Sequence, residues 1–349
     1  MKLEILVPHY HEKADVVKPL LDSIALQQNV DFNEIGVIIC HDGKDPQYSI
    51  YGKEPKEDES PEFEFYDDYA IGGDYSLFGE YPFKIKQIRQ EHKGVSAARN
   101  ACLDASKAEY VMFCDIDDMF FNSCGLWILF REMKEGFDSL VSVFLEETRD
   151  PSTGDVIYIN HEMDGTFVHG KVHRRKYLIT NKIRFDDNLT IHEDSYFNIL
   201  CQSLSNQVKY CVTPFYLWKW RDESVCRHDP KYILKTFNNM LDSNDALIEQ
   251  FLKRGMRDKA AFHAGVMIFN SYYTMNKPEW INVENAEYRN NVDKRFSQYY
   301  NKYRILWDSI PDADKMQISN GTRSRIVMEG MQMETITISE WLKKMESIK

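Results

Sequence analysis

The sequence predicts an α/β chain with a mixed, mainly parallel sheet flanked by helices, followed by a separate helical region. Three observations predict it. Strand-like apolar runs alternate with helical patterns through the first half, the βαβ order of a parallel sheet. One such run, Tyr110 to Cys114, ends on three acids within four positions, Asp115-Ile-Asp-Asp118. Beyond about Pro230 the apolar spacing becomes helical.

Leu3 to Val7 reads as the first strand, Val16 to Gln27 as a helix and Ile35 to Cys40 as the second strand. Glu54 to Asp68 carries eight Asp or Glu residues among prolines and aromatics, with no sustained period, and belongs to a surface insertion over about 44–81. Ile85 to Ile88 resumes the sheet, and a helix from Val95 to Ser106 is entered through Gly94. After the Tyr110 strand, Leu126 to Lys134 reads as helix and Leu140 to Glu146 as strand, with a Pro151 to Gly154 turn into Val156 to Ile159. A basic segment, Lys171-Val-His-Arg-Arg-Lys176, precedes Phe185 to Leu189 and the acidic pair Glu193-Asp194. Ile233, Phe237, Leu241, Ile248 and Phe251 follow helical spacing, as do Phe262 to Tyr273 and Phe296 to Trp307 more loosely, and the chain ends in Ile338 to Ile348. The expected domains are therefore residues 1–230 and a helical region, 231–349.

With 349 residues and 43% hydrophobic content the chain can bury a real core, and its net charge of -12 opposes an extended nucleic-acid surface. The seven cysteines are scattered without zinc spacing and read as reduced packing residues. The chain opens directly as a strand, with no basic stretch leading an apolar one, and no window nears the roughly 18 apolar residues of a spanning helix. A cytoplasmic setting is expected, with a position peripheral to a membrane left open.

Adjacent carboxylates repel unless solvated or bound to a cation, so three at a strand end suggest a hard-metal site, Mn²⁺ or Mg²⁺. A solvated acidic turn is the plain alternative. Carboxyl ends of parallel strands are where ligands collect in open α/β sheets. Upstream, Lys93-Gly-Val-Ser-Ala-Ala-Arg-Asn100 combines a loop, a helix start and two basic groups, which suits an anionic diphosphate or a simply capped helix.

From Gly94 through Asp118 the chain resembles the signature of family 2 glycosyltransferases, inverting enzymes of the GT-A fold. The opening Ile5-Leu-Val-Pro-His-Tyr-His-Glu12 resembles that family's first strand and nucleotide loop, and Cys40-His-Asp-Gly43 its second. His41 departs from the acid often found there. The resemblance implies that Pro8, Tyr10, Glu12 and Asp42 surround the nucleobase and ribose, with Lys93, Gly94 and Arg99 near the donor. Asp115 would lie by the ribose and diphosphate, and Asp117, with Asp115, would hold the metal. Gly170-Lys-Val-His-Arg-Arg175, followed by Ile183 to Phe197, is similar to the acceptor-side segment, which implies that Asp194 is the catalytic base and Glu193 its neighbour. Read alone, Glu193-Asp194 is also a charge pair at a helix N-terminus. Pro214 to Ser224 is similar to the aromatic and basic segment that follows. Arg221 and Ser224 would then approach the diphosphate, and His228 would be a third metal ligand or a phosphate contact.

The implied activity is metal-assisted transfer of a sugar from a nucleotide-sugar, a UDP-sugar first, to an acceptor hydroxyl on a glycan, a lipid-linked carrier or a polymer; nucleic acid is the less favoured acceptor. Metal-dependent nucleotidyl transfer and non-catalytic carbohydrate binding on the same fold are the alternatives. Aromatics of the C-terminal region, Tyr272, Tyr273, Trp280, Tyr299, Tyr300, Tyr303 and Trp307, would pack on the catalytic domain, form a homo-oligomer or line an acceptor groove.

Overall fold

The structure, a computed structural model, describes residues 1–10, 12, 14–43, 66–69, 81–162, 164–221, 236–281, 286–326 and 336–348. The chain divides into two compact units, Met1–Ser224 and Val225–Lys349.

The first unit is built on one mixed sheet. Its parallel half joins β1 (Leu3–His9), β2 (Ile35–Asp42), β4 (Lys84–Gln90) and β5 (Tyr110–Phe113) in the order β4-β2-β1-β5, with β3 (Tyr66–Tyr69) antiparallel at the edge beside β4. Helix α1 (Ala14–Ala25) buries Val17, Leu20, Leu21 and Ile24 in one core with Leu3, Ile5 and Val7 of β1. These positions recur at helical spacing on α1 and alternate along β1, so the two periodicities face each other. Helix α2 (Val95–Ala105) packs against β1 and β2 through small buried residues, Ala98 and Cys102 among them, which let it lie close to the sheet. The six described cysteines are free thiols, five of them buried.

The second half of the sheet is where the sequence reading was incomplete. The basic segment at Lys171 forms β9 (Lys171–Arg174), inserted antiparallel between β5 and β7 (Ser139–Arg149). It is reached through Gly170, whose φ of +66° favours glycine and whose missing Cβ would stand 2.4 Å from Ser142 Oγ. The aromatic segment around Pro214 lies within β10 (Val208–Trp218), parallel to β7, with a register shift between Cys211 and Tyr216. Proline cannot donate to a ladder, so a strand containing it carries an irregularity there. Strand β6 (Met119–Phe120) closes the far side against β10, and β8 (Val156–His161) pairs with β7. Helices α3 (Gly125–Glu135), α4 (Arg175–Thr180) and α5 (Glu193–Leu204) complete the unit. Phe185 to Leu189 is loop rather than a regular element. Of the acidic insertion, β3 and the final residue Tyr81 fall within the described residues.

The second unit is helical, with helices Phe237–Lys253, Arg257–Met275, Ala286–Ser309, Asp312–Ile326 and Ile338–Glu346 and a short turn of helix at Pro278–Ile281. Trp280, Tyr299, Tyr303 and Trp307 are buried, and Tyr299 donates its hydroxyl to Asn244 Oδ1 at 2.6 Å. The unit's own core thus accounts for much of its aromatic content. Among the described residues no helix is long and apolar enough to cross a membrane.

Candidate active site

The parallel strands β1, β2 and β5 end together, and their ends meet the loop into α2 around a cavity of about 290 Å³. Eight expected residues line it: Pro8, Tyr10 and Glu12 after β1, Asp42 on β2, Gly94 and Arg99 at α2, and Asp115 and Asp117 after β5. Lys93 does not line it; its backbone N–H is spent on Asp42. Ser224 and His228 lie outside the described residues.

Asp42 is 4% exposed and saturated with donors. Its Oδ1 accepts from Lys93 N at 2.8 Å and Gln90 Nε2 at 2.7 Å, and its Oδ2 accepts from Gly94 N at 2.8 Å and pairs with His92 Nδ1 at 2.9 Å. The carboxylate therefore pins the 90–94 loop, and Gly94, with φ +91°, turns the chain into α2. Tyr10 stacks on His92, ring centroids 4.3 Å apart, which gives the cavity mouth a flat aromatic wall. Neither His92 nor His9, which also lines the cavity, was expected.

Arg99 joins this cavity to the two acids that open α5. Only 3% exposed, it donates from one terminal nitrogen to Glu193 Oε1 at 2.9 Å and Asp194 Oδ1 at 2.6 Å, and from the other to Asp115 Oδ1 at 2.9 Å. Burial alone would lower its pKa, but Asp194, Asp115 and Glu193 more than offset this and hold it charged. The guanidinium expected near the donor is thus committed to three carboxylates. Burial raises the Asp194 carboxyl and Arg99 opposes the shift. For Glu193, burial and then the charge of Asp194 push the carboxyl up to about 8.

This sets a stability prediction. Between the ordinary glutamate value of 4.5 and about 8 the folded state binds the extra proton, so Glu193's contribution is full below 4.5 and is lost as pH rises through 8. Glu193→Gln is expected to flatten the fall in Tm between about pH 5 and pH 8 and to raise Tm at the alkaline end. Thermal melts of both proteins across that range check it.

At the strand end the three acids take different roles. Asp118 is 1% exposed, accepts from Tyr216 Oη and from Lys219 N at 2.9 Å, and lies 3.6 Å from His169 Nδ1. Burial, then the charges of Asp117 and Asp115, raises its carboxyl well above the usual range. Asp117 pairs with Arg221 at 2.7 Å, which ties the expected metal ligand to the expected diphosphate contact. Asp115 and Asp117 each keep one carboxylate oxygen that takes no hydrogen bond from the described residues. Hard oxygen donors of this kind fit Mn²⁺ or Mg²⁺. Asp115, Asp118 and His169 form a second possible donor set, with ligand atoms within 4.8 Å of one another. His169 and Tyr216 were not assigned from the sequence, and Asp118 only as one of the three strand-end acids, because β10 and the turn before β9 bring them together from about a hundred residues of chain.

Residues 66–204, which include Arg99, the Asp115 strand end and the Glu193-Asp194 pair, match the family model described as Glycosyl transferase family 2. That match, to a family 2 glycosyltransferase domain, spans less than half of the chain. The relatives agree with a glycosyltransferase domain of GT-A type. EpsH of Bacillus subtilis (strain 168), a glycosyltransferase by name, is 21% identical over 221 residues, 55% of this chain and 62% of that one. Glycosyltransferase GlyA of Streptococcus pneumoniae is 25% identical over 250 residues, 65% of this chain and 32% of that one. The chain thus spans less than two thirds of either relative. The crystal structure of S. aureus TarS 1–349 is similar in fold, with a TM-score of 0.57 at 15% identity, covering 96% of this chain and 97% of that one. Its complex with UDP-GlcNAc gives 0.56 over the same shares.

Proposed function

We propose that this glycosyltransferase domain moves a sugar from a nucleotide-sugar, a UDP-sugar first, to an acceptor hydroxyl with inversion, assisted by Mn²⁺ or Mg²⁺. The observation that carries the reading is the Arg99 cluster, one buried guanidinium shared by Asp115 of the nucleotide cavity and by Glu193 and Asp194 on the acceptor side. In this reading donor and base share one ionic frame, the alignment an in-line displacement requires. That TarS was crystallised with UDP and with UDP-GlcNAc supports a uridine donor.

In this reading Tyr10 and His92 form the wall against which the nucleobase rests, with Pro8 and Glu12 beside it, and Asp42 acts through the loop it pins. Asp115 and Asp117 would hold the divalent cation, which supplies neutralising charge to the departing diphosphate. His228 is kept as a third ligand, and Ser224 as a diphosphate contact. Arg221 exchanges its Asp117 partner for phosphate oxygens. Asp194 takes the proton of the acceptor hydroxyl as its oxygen bonds to the anomeric carbon; the bond from that carbon to the diphosphate oxygen breaks, and its electron pair leaves with the nucleoside diphosphate. Residues 1–230 form the catalytic domain and 231–349 a helical region concerned with acceptor or assembly, homo-oligomer included. The acceptor is a glycan, lipid-linked carrier or polymer met in the cytoplasm or at a membrane face.

Asp117→Ala tests the metal assignment. It removes a ligand at the cavity mouth, where Asp117 is 29% exposed, so the fold should persist while the Mn²⁺-dependent gain in UDP affinity disappears. Calorimetric titration of UDP with and without Mn²⁺ reads this, and an equal metal-dependent gain in both proteins would remove Asp117 from the site.

A further inference from the structure

His9 and His41 are register partners across β1 and β2, and both are buried, as is Gln87 of β4. Their side chains form one hydrogen-bonded row. His9 Nε2 meets the main-chain oxygen of Glu12 at 2.8 Å, the two Nδ1 atoms lie 2.9 Å apart, and His41 Nε2 meets Gln87 Oε1 at 2.8 Å. The ends of the row fix its protons. A carbonyl oxygen only accepts, so each Nε2 carries a hydrogen, and the facing Nδ1 atoms need one more between them. Three protons on four ring nitrogens make one of the two rings an imidazolium. Burial, then the charge of His9, pulls the His41 ring down to about 3, which leaves the charge on His9. Glu12 Oε2 stands 3.9 Å from His9 Nε2, and Arg89, the β4 partner of His41, also opposes a charge on His41. The same Glu12 oxygen accepts from Tyr10 N at 2.8 Å. The row therefore ends on a short loop, tied at both sides, whose Tyr10 and Glu12 line the cavity beside His9.

We propose that His9 and His41 are positioning residues for donor binding: a charged His9 ring, seated against His41, ties Glu12 back to the end of β1 and so holds Tyr10 and the Glu12 carboxylate toward the nucleotide. This rests on the reading of the cavity as the nucleotide site. The test uses the full chain with UDP and Mn²⁺ and compares wild type with His9→Phe, His41→Phe and the double variant by calorimetry. Phenylalanine fills similar space without hydrogen bonds. Losing a bond made by a charged group should weaken UDP binding about tenfold in each single variant. The double variant should be weaker than either by less than about twofold, because the two rings act as one row. Nitrogen NMR of protein with labelled histidine should show His9 protonated on both ring nitrogens and His41 on Nε2 alone, a signature that a merely structural pair would not give. UDP affinity within about twofold of wild type in either single variant, losses that add in the double variant, or two neutral rings, the state that a turned Gln87 amide would allow, would each overturn the proposal. Wild-type binding with unchanged variants removes only this role, whereas no UDP binding by wild type removes the nucleotide reading and this role together. Should the phenylalanine variants fail to fold, His9→Ala is expected to regain UDP affinity with imidazole and not with N-methylimidazole, which cannot donate at both nitrogens; equal response to both would contradict the row.

Discussion

Asp194→Asn is expected to lower single-turnover transfer by about 10² to 10⁴-fold, the usual contribution of general-base catalysis, while donor affinity survives. The amide keeps the shape of the carboxylate and its oxygen can still accept from Arg99, while the NH2 replaces the oxygen that accepted from Val168 N at 3.3 Å, so the long contact is given up and the rest of the frame persists. What disappears is the capacity to accept the proton of the attacking hydroxyl. Single-turnover transfer beside calorimetric donor affinity separates the outcomes. Retained transfer would take Asp194 out of catalysis, and loss of both would move it to the nucleotide side.

The largest effect on stability is expected at Arg99. Arg99→Met leaves Asp115, Glu193 and Asp194 facing one another without their shared cation, and breaking a buried ionic cluster on one side typically costs about 3–5 kcal/mol. Since the penalty is mutual repulsion of ionised carboxylates, it should be greatest at alkaline pH. It should shrink as pH falls toward about 8, because Arg99 holds the Glu193 carboxyl down and without it that carboxyl takes up its proton at a higher pH. Urea denaturation of both proteins at two pH values reads this directly. A loss that is small and independent of pH would mean that the three acids do not depend on Arg99.

Much of the candidate site was legible because its chemistry is local in sequence. Asp115 and Asp117 end an apolar strand, Gly94 opens a helix five residues before Arg99, and Glu193 and Asp194 sit where acids favour a helix start. That Arg99 would gather Asp115, Glu193 and Asp194 was not legible, since they lie 16, 94 and 95 residues away. The same holds for Asp118, buried under Tyr216 of a strand 98 residues later. Strand β9 was hidden by its composition. Lys171, His173 and Arg174 look like a solvated basic run, yet the strand runs between β5 and β7 with its first three residues buried. Pro214 concealed β10 in a similar way, because proline argues against a strand interior unless a bulge relieves it.

The account's central claim is nucleotide-sugar turnover, and release of the nucleoside diphosphate measures it most directly. Incubation with UDP-GlcNAc and other nucleotide-sugars, with and without Mn²⁺, is expected to give metal-stimulated release of UDP that Asp117→Ala and Asp194→Asn both lose. Binding of the nucleotide without release from any donor, or release of pyrophosphate in place of the nucleoside diphosphate, would contradict it.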